Sequence, residues 1–202
     1  MYNKLFTGPM FSGKTRRLVI ELERYVLAKR HVAWFEPKKD TRGGSHGDFI
    51  SHRMQELKNI EYVHRFDLSK PEDVISITTE LCKDYKIECI FIDEFFMVEF
   101  TRQFFYDYQF STLKDIPMIF AGLITGADSN IMKTAIPVIP YMDEIKKFTA
   151  ICMNCGKTAN YTCFLGDWDK SDPIDNGKNY KVFCADCYMK YTKKPLTHTW
   201  KG

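Results

Sequence analysis

Short apolar runs alternate with amphipathic stretches along the first two thirds of the chain, and the period of each run predicts its element. Residues 4–6 are a short apolar strand. Residues 15–29 carry Leu18, Val19, Leu22, Tyr25 and Val26 at helical spacing, one apolar face of an amphipathic helix. A second strand is expected over 31–35 and ends at Pro37, with Lys38-Lys39-Asp40-Thr41-Arg42 and a Gly- and Ser-rich surface loop (43–47) after it. Residues 61–66 read as a strand. Ser69-Lys70-Pro71-Glu72 has the spacing of a capping box with Pro in the first turn, launching a helix to about Asp84. Cys89-Ile90-Phe91-Ile92 is continuously apolar, the kind of strand buried on both faces of a parallel sheet. A helix over 100–113 and a buried strand over 118–123 complete the series.

This alternation predicts an α/β fold with a parallel sheet and the loops after its strands gathered on one edge. The pattern changes near Phe148, beyond which come short strand-like runs, two Cys pairs and the turn Asp175-Asn176-Gly177. We therefore expect two units: a nucleotide-binding domain over 1–148 and a small metal-binding domain over 149–202, frayed from Lys190 onward. No repeat or low-complexity tract interrupts either.

Composition narrows the class. The chain has 202 residues, 45% of them apolar, enough for one good core and a small appendage. No apolar run reaches membrane-spanning length and no signal peptide precedes the first strand, so a cytoplasmic protein without a membrane partner is expected. The 29 Lys and Arg are nearly balanced by 26 acids, for a net charge of +3, which argues against a nucleic-acid partner. Aromatics at 15% suit stacking on a planar ligand but more often fill cores.

The chemistry begins at Gly8-Pro9-Met10-Phe11-Ser12-Gly13-Lys14-Thr15, which fits the phosphate-loop pattern G-x-x-x-x-G-K-[ST] and stands between a strand and a helix. Gly8 and Gly13 permit the turn that aims N–H groups at phosphates. Lys14 supplies a mobile positive charge, and the Thr15 hydroxyl is a ligand for Mg²⁺. Ile90-Phe91-Ile92-Asp93-Glu94 has the form of an apolar strand delivering carboxylates to the same edge: Asp93 to orient Mg²⁺, Glu94 as general base. Acting on water, Glu94 makes an ATPase; acting on a substrate hydroxyl, it makes a kinase.

Seven cysteines favour metal or free thiols over a disulfide framework. Cys152-x-x-Cys155 and Cys184-x-x-Cys187 form two knuckles suited to tetrahedral zinc, and four thiolates leave no open position, so the metal is structural. Cys82 and Cys89 are expected to be small core residues, and Cys163 lies between the knuckles. The loop between the knuckles mixes Asp167, Asp169, Asp172 and Asp175 with Lys170, Lys178 and Lys181, and reads as a clamp over a small ligand. Zinc ribbons also bind nucleic acid, so the alternative is a nucleic-acid-stimulated P-loop ATPase with a zinc ribbon.

The succession G-P-M-F-S-G-K-T, K-x-D-T-R, I-D-E, G-L, T-A-x-C-M-x-C and N-Y before C-x-x-C resembles the type II thymidine kinase family over about residues 3–190. The resemblance implies a RecA-like core with a zinc-tethered lasso, and transfer of the ATP γ-phosphate to the 5′-hydroxyl of thymidine or a related pyrimidine deoxynucleoside such as deoxyuridine. It implies ATP and Mg²⁺ on Gly8, Pro9, Met10, Phe11, Ser12, Gly13, Lys14, Thr15, Asp40 and Asp93, and catalysis by Glu94, Arg42 and Lys14. Met10, Phe96, Leu123, Thr149, Ile174 and Tyr180 would line the nucleoside pocket, and the family's homo-oligomer is a tetramer. Two departures alter that pocket. Phe95-Phe96-Met97 follows the acid pair where the family has a small residue and then Gln-Phe, and Ile124-Thr125-Gly126-Ala127 lacks the family's pocket-closing Phe. Phe96 is expected to supply from one side the aromatic surface missing at Ala127.

Overall fold

The computed structural model describes residues 2–38, 61–166 and 179–192. Six strands form one parallel sheet: β1 (Lys4–Thr7), β2 (His31–Pro37), β3 (Val63–Leu68), β4 (Ile87–Ile92), β5 (Met118–Gly122) and β6 (Glu144–Lys147), in the order β3-β2-β4-β5-β1-β6. Helices α1 (Lys14–Leu27), α2 (Glu72–Leu81) and α3 (Arg102–Gln109) flank it. Successive strand residues point to opposite faces, and both faces are covered. Phe6, Trp34, Phe91, Ile119 and Ala121 pack with Leu18, Val19 and Leu22 of α1. Leu5, Phe35, Ile90, Ile92, Met118 and Phe120 pack with Val74 of α2 and Phe104, Phe105 and Tyr108 of α3. The apolar runs of β4 and β5 are continuous for this reason.

The expected α/β parallel sheet is therefore present, and the differences lie at element ends. The helix expected over 69–84 is α2, only Glu72–Leu81. The capping box is replaced by Asp73, whose carboxylate accepts the N–H groups of Ser69 (3.3 Å) and Lys70 (3.1 Å). The helix expected over 100–113 is α3; the Thr101 hydroxyl caps it, accepting the Phe104 N–H at 3.1 Å. Cys89 is buried as expected, with burial pushing its thiol up to about 12. Cys82, expected in the core, is exposed because α2 ends at Leu81 and Cys82 only caps it. Aromatics make up much of the core: Phe120 has the rings of Phe95, Phe100 and Phe105 within 6.2 Å, and Phe105 stacks on Tyr141 at 4.2 Å.

β6 has no apolar signature; Glu144-Ile145-Lys146-Lys147 is a largely exposed edge strand held by its pairing with β1. Its entry is fixed by Asn3, which is almost wholly buried. The Asn3 amide donates to the Tyr141 carbonyl (3.1 Å), its Oδ1 accepts the Met118 N–H (2.9 Å), and its main chain exchanges bonds with Asp143 and Glu144. Beyond residue 148 a third apolar cluster, with Ala150, Ala159, Val182, Phe183 and Tyr188, gathers around two small antiparallel pairs. These are β7 (Ala150–Ile151) with β8 (Thr158–Ala159), and β9 (Tyr161–Phe164) with β10 (Tyr180–Phe183). Helix α4 (Ala185–Thr192) follows.

Asn3→Ala strands the Met118 N–H and the Tyr141 carbonyl in the interior, and is expected to cost about 2–4 kcal/mol in urea unfolding. A loss below about 1 kcal/mol would show that water replaces the amide there.

Candidate active site

The parallel register carries the ends of β1, β4 and β5 to one edge of the sheet, with β5 inserted between the other two. The phosphate loop leaves β1 there and the acid pair leaves β4. Gly13 has φ 79°, a left-handed backbone at the N-cap of α1 that a side chain would strain. Lys14 and Thr15 are the first residues of the helix. The Pro9 carbonyl accepts both the Ser12 hydroxyl (2.8 Å) and the Lys14 ammonium (2.9 Å), so the buried lysine points into its own loop. Phe11 lies at the rim, about half exposed, with φ 58°.

Thr15 joins the two motifs. Its hydroxyl donates to Asp93 Oδ1 at 3.1 Å, and the Glu94 N–H donates to the same oxygen at 3.0 Å. Asp93 is buried, and its own N–H is bonded to the Phe35 carbonyl of β2. Burial, then the charge of Glu94, pushes the Asp93 carboxyl up to about 8. Glu94 is half-buried with φ 45° and ψ 41°, a left-handed turn that swings its side chain away from the strand direction. A 3-10 turn, Phe95–Met97, follows.

This turn shows where the altered residues go. Phe95 is wholly buried against Phe120, a core role. Phe96 is half-buried, edge-on to Phe95, and lies beside Gly122 at the end of β5. A Cβ on Gly122 would come within 2.8 Å of Phe95 and 3.1 Å of Phe96, so only glycine admits both rings. Leu123 is half-buried just past that point. Met10 packs against the third cluster, and its N–H donates to the buried Thr162 hydroxyl at 3.0 Å. Tyr180 is half-buried against Phe164 with ring centroids 5.0 Å apart, and Thr149 is exposed between β6 and β7. Asp40, Arg42 and Ile174 lie outside the described residues, as do the 43–47 loop, the turn at Asp175 and the chain from 193 onward.

The four Sγ atoms of Cys152, Cys155, Cys184 and Cys187 lie within 4.8 Å of one another. A tetrahedral zinc with Zn–S bonds of about 2.3 Å has S–S edges of about 3.8 Å, so the cluster fits that ion. The Asn154 amide donates to Cys187 Sγ at 3.2 Å, the kind of outer contact that steadies a ligand thiolate. Cys163 is buried outside the cluster, its thiol facing the Phe164 carbonyl.

Sequence reasoning missed Thr162 and Phe148. The Phe148 N–H donates to the Thr7 carbonyl (2.7 Å), and a Cβ on Gly8 would come within 2.4 Å of the Phe148 carbonyl oxygen. Neither residue carries a motif. Thr162 was visible only as the polar member of Tyr161-Thr162-Cys163-Phe164.

A sequence model of the thymidine kinase family matches residues 2–188. A thymidine kinase of Mesoplasma florum is 30% identical over 194 residues, covering 92% of this chain and 90% of its own. One from Bacteroides thetaiotaomicron is 27% identical over 192 residues (93% and 86%). One from Amsacta moorei entomopoxvirus is 26% identical over 191 residues (92% and 96%).

An aspartate whose folded pKa lies above its unfolded one leaves stability intact below about pH 4 and removes it as pH rises through the folded value. In nucleotide-free buffer, Asp93→Asn should therefore gain on the parent chain in urea midpoint as pH goes from 6 to 9. Parallel pH profiles for the two proteins would mean that the buried carboxyl is already ionised at pH 6.

Proposed function

The chain belongs to the thymidine kinase family, and we propose that it transfers the γ-phosphate of ATP to the 5′-hydroxyl of thymidine, giving the 5′-monophosphate. The observation that carries this reading is the Thr15–Asp93 contact, which brings the phosphate loop and the acid pair into one site within a family match of nearly full length. Residues 8–15 hold the triphosphate, with Lys14 neutralising charge on the transferred group. Thr15 and Asp93 would hold Mg²⁺, which would supply charge stabilisation when bound, and Asp40 would lie beside the bound nucleotide. Glu94 takes the proton from the 5′-hydroxyl, and Arg42 stabilises charge in the transition state.

The nucleoside lies between Met10, Leu123 and Phe96 on the sheet side and Thr149, Ile174 and Tyr180 on the side of the four-cysteine unit. The half-buried Phe96 ring beside Gly122 supports its role as the aromatic wall of this pocket, which also admits deoxyuridine. The cluster of four cysteines supports a structural zinc, with the kinase domain over 1–148 and the lasso domain over 149–202. No helix among the described residues is long and apolar enough to cross a membrane, and we place the protein in the cytoplasm as a homotetramer. The ATPase reading with a nucleic-acid partner is not favoured by the family match.

Chromatography of labelled deoxynucleosides with ATP and Mg²⁺ tests the assignment: thymidine should acquire phosphate, and a panel in which none does would refute it. Glu94→Gln is expected to lower kcat by about 10²–10⁴-fold while ATP affinity holds within a few-fold. Retained turnover would remove Glu94 as the base.

A further inference from the structure

The segment after β5 folds back on itself. Thr125 and Ile131 form an antiparallel bridge, the Gly126 N–H donates to the Asn130 carbonyl (2.9 Å), and the Met132 N–H donates to the Ile124 carbonyl (2.9 Å). The result is a small hairpin over 124–132 whose base adjoins Leu123. At its tip, Asp128 accepts the N–H and the side-chain amide of Asn130, so the tip is internally braced. From outside the hairpin, the Tyr188 hydroxyl donates to the Ala127 carbonyl at 3.0 Å.

Tyr188 directly follows the candidate ligand Cys187 on α4 and is buried. Its own N–H donates to the carbonyl of another ligand residue, Cys184, at 2.9 Å, and its ring leans on Tyr161 with centroids 5.1 Å apart. Tyr161 neighbours Thr162, which accepts the Met10 N–H of the phosphate loop. The four-cysteine unit is thus bonded to the loop after β1 and to the hairpin after β5. Met10 makes the first of these bonds itself, and Leu123 adjoins the base of the hairpin whose tip takes the second.

We infer that Tyr188 is a positioning residue for the acceptor nucleoside: its hydroxyl fixes the tip of the 124–132 hairpin, and through it Leu123, to the metal-bearing helix. This rests on the function proposed above. Removing the hydroxyl frees the hairpin without touching the phosphate loop, so the defect falls on the nucleoside and spares ATP.

Tyr188→Phe keeps the ring and its packing, which makes it the variant to use. Expected are a thymidine KM raised about three- to tenfold, with kcat and the ATP KM within about two-fold and zinc content unchanged. Amide hydrogen exchange over 124–132 should accelerate in the variant, and in the parent chain once a chelator has removed the metal. An unchanged thymidine KM, or equal rises in both KM values, overturns the inference. If the parent chain phosphorylates no nucleoside, the functional reading fails on its own. Exchange then decides: acceleration over 124–132 in Tyr188→Phe supports the tether, and unchanged exchange refutes it.

Discussion

The backbone of Phe148 lies so close to Gly8 that a single added carbon would meet its carbonyl oxygen at 2.4 Å. The rest of the site depends on that approach. It is possible because β6 runs parallel to β1 and the Phe148 N–H extends their ladder by one bond to the Thr7 carbonyl. The chain therefore leaves the sheet beside the phosphate loop, and the four-cysteine unit follows directly from that point. A side chain at residue 8 would push the phosphate loop away from the start of the four-cysteine unit. Glycine at this position serves proximity between two segments 140 residues apart as well as the loop's own turn.

The electrostatics of the edge are costly and local. Asp93 is buried with another carboxylate beside it, and it is held by the Thr15 hydroxyl and the Glu94 amide, neither of which carries positive charge. Such a site favours a proton or a cation on Asp93. A divalent ion held there by Thr15 and Asp93 would offset the repulsion between the two carboxylates. The left-handed turn at Glu94 separates the two carboxylates in direction although they adjoin in sequence.

The parts of this fold legible in the sequence are those with strong local reasons. The continuous apolar runs of β4 and β5, the amphipathic face of α1, the phosphate loop and the two cysteine knuckles each carry a period or a spacing that little else produces. The parts that were not legible draw their stability from partners distant in sequence. β6 is a strand because β1 offers it a free edge, and Glu-Ile-Lys-Lys alone does not say so. In place of the expected box, Asp73 reaches back to two amides of the turn before α2, those of Ser69 and Lys70. Phe95 and Phe96, adjacent and chemically alike, diverge because the 3-10 turn sends one ring into the core and leaves the other at its margin.

The same distinction explains why the acceptor pocket was harder to read than the donor loop. Phosphate is bound by backbone amides whose geometry a short motif encodes almost completely. A nucleoside base must be enclosed by side chains from several elements, and in the pocket proposed above these are the loop after β1, the turn after β4, the hairpin after β5 and the four-cysteine unit. Their mutual placement rests on long-range bonds, Met10 to Thr162 and Tyr188 to Ala127. The second of these ends on a backbone carbonyl, which any residue at 127 would supply. The aromatic that the family places there can therefore be lost without loss of the tether. Substitution at the hairpin tip can thus change the lining of the proposed pocket while the bond that carries the hairpin stays intact.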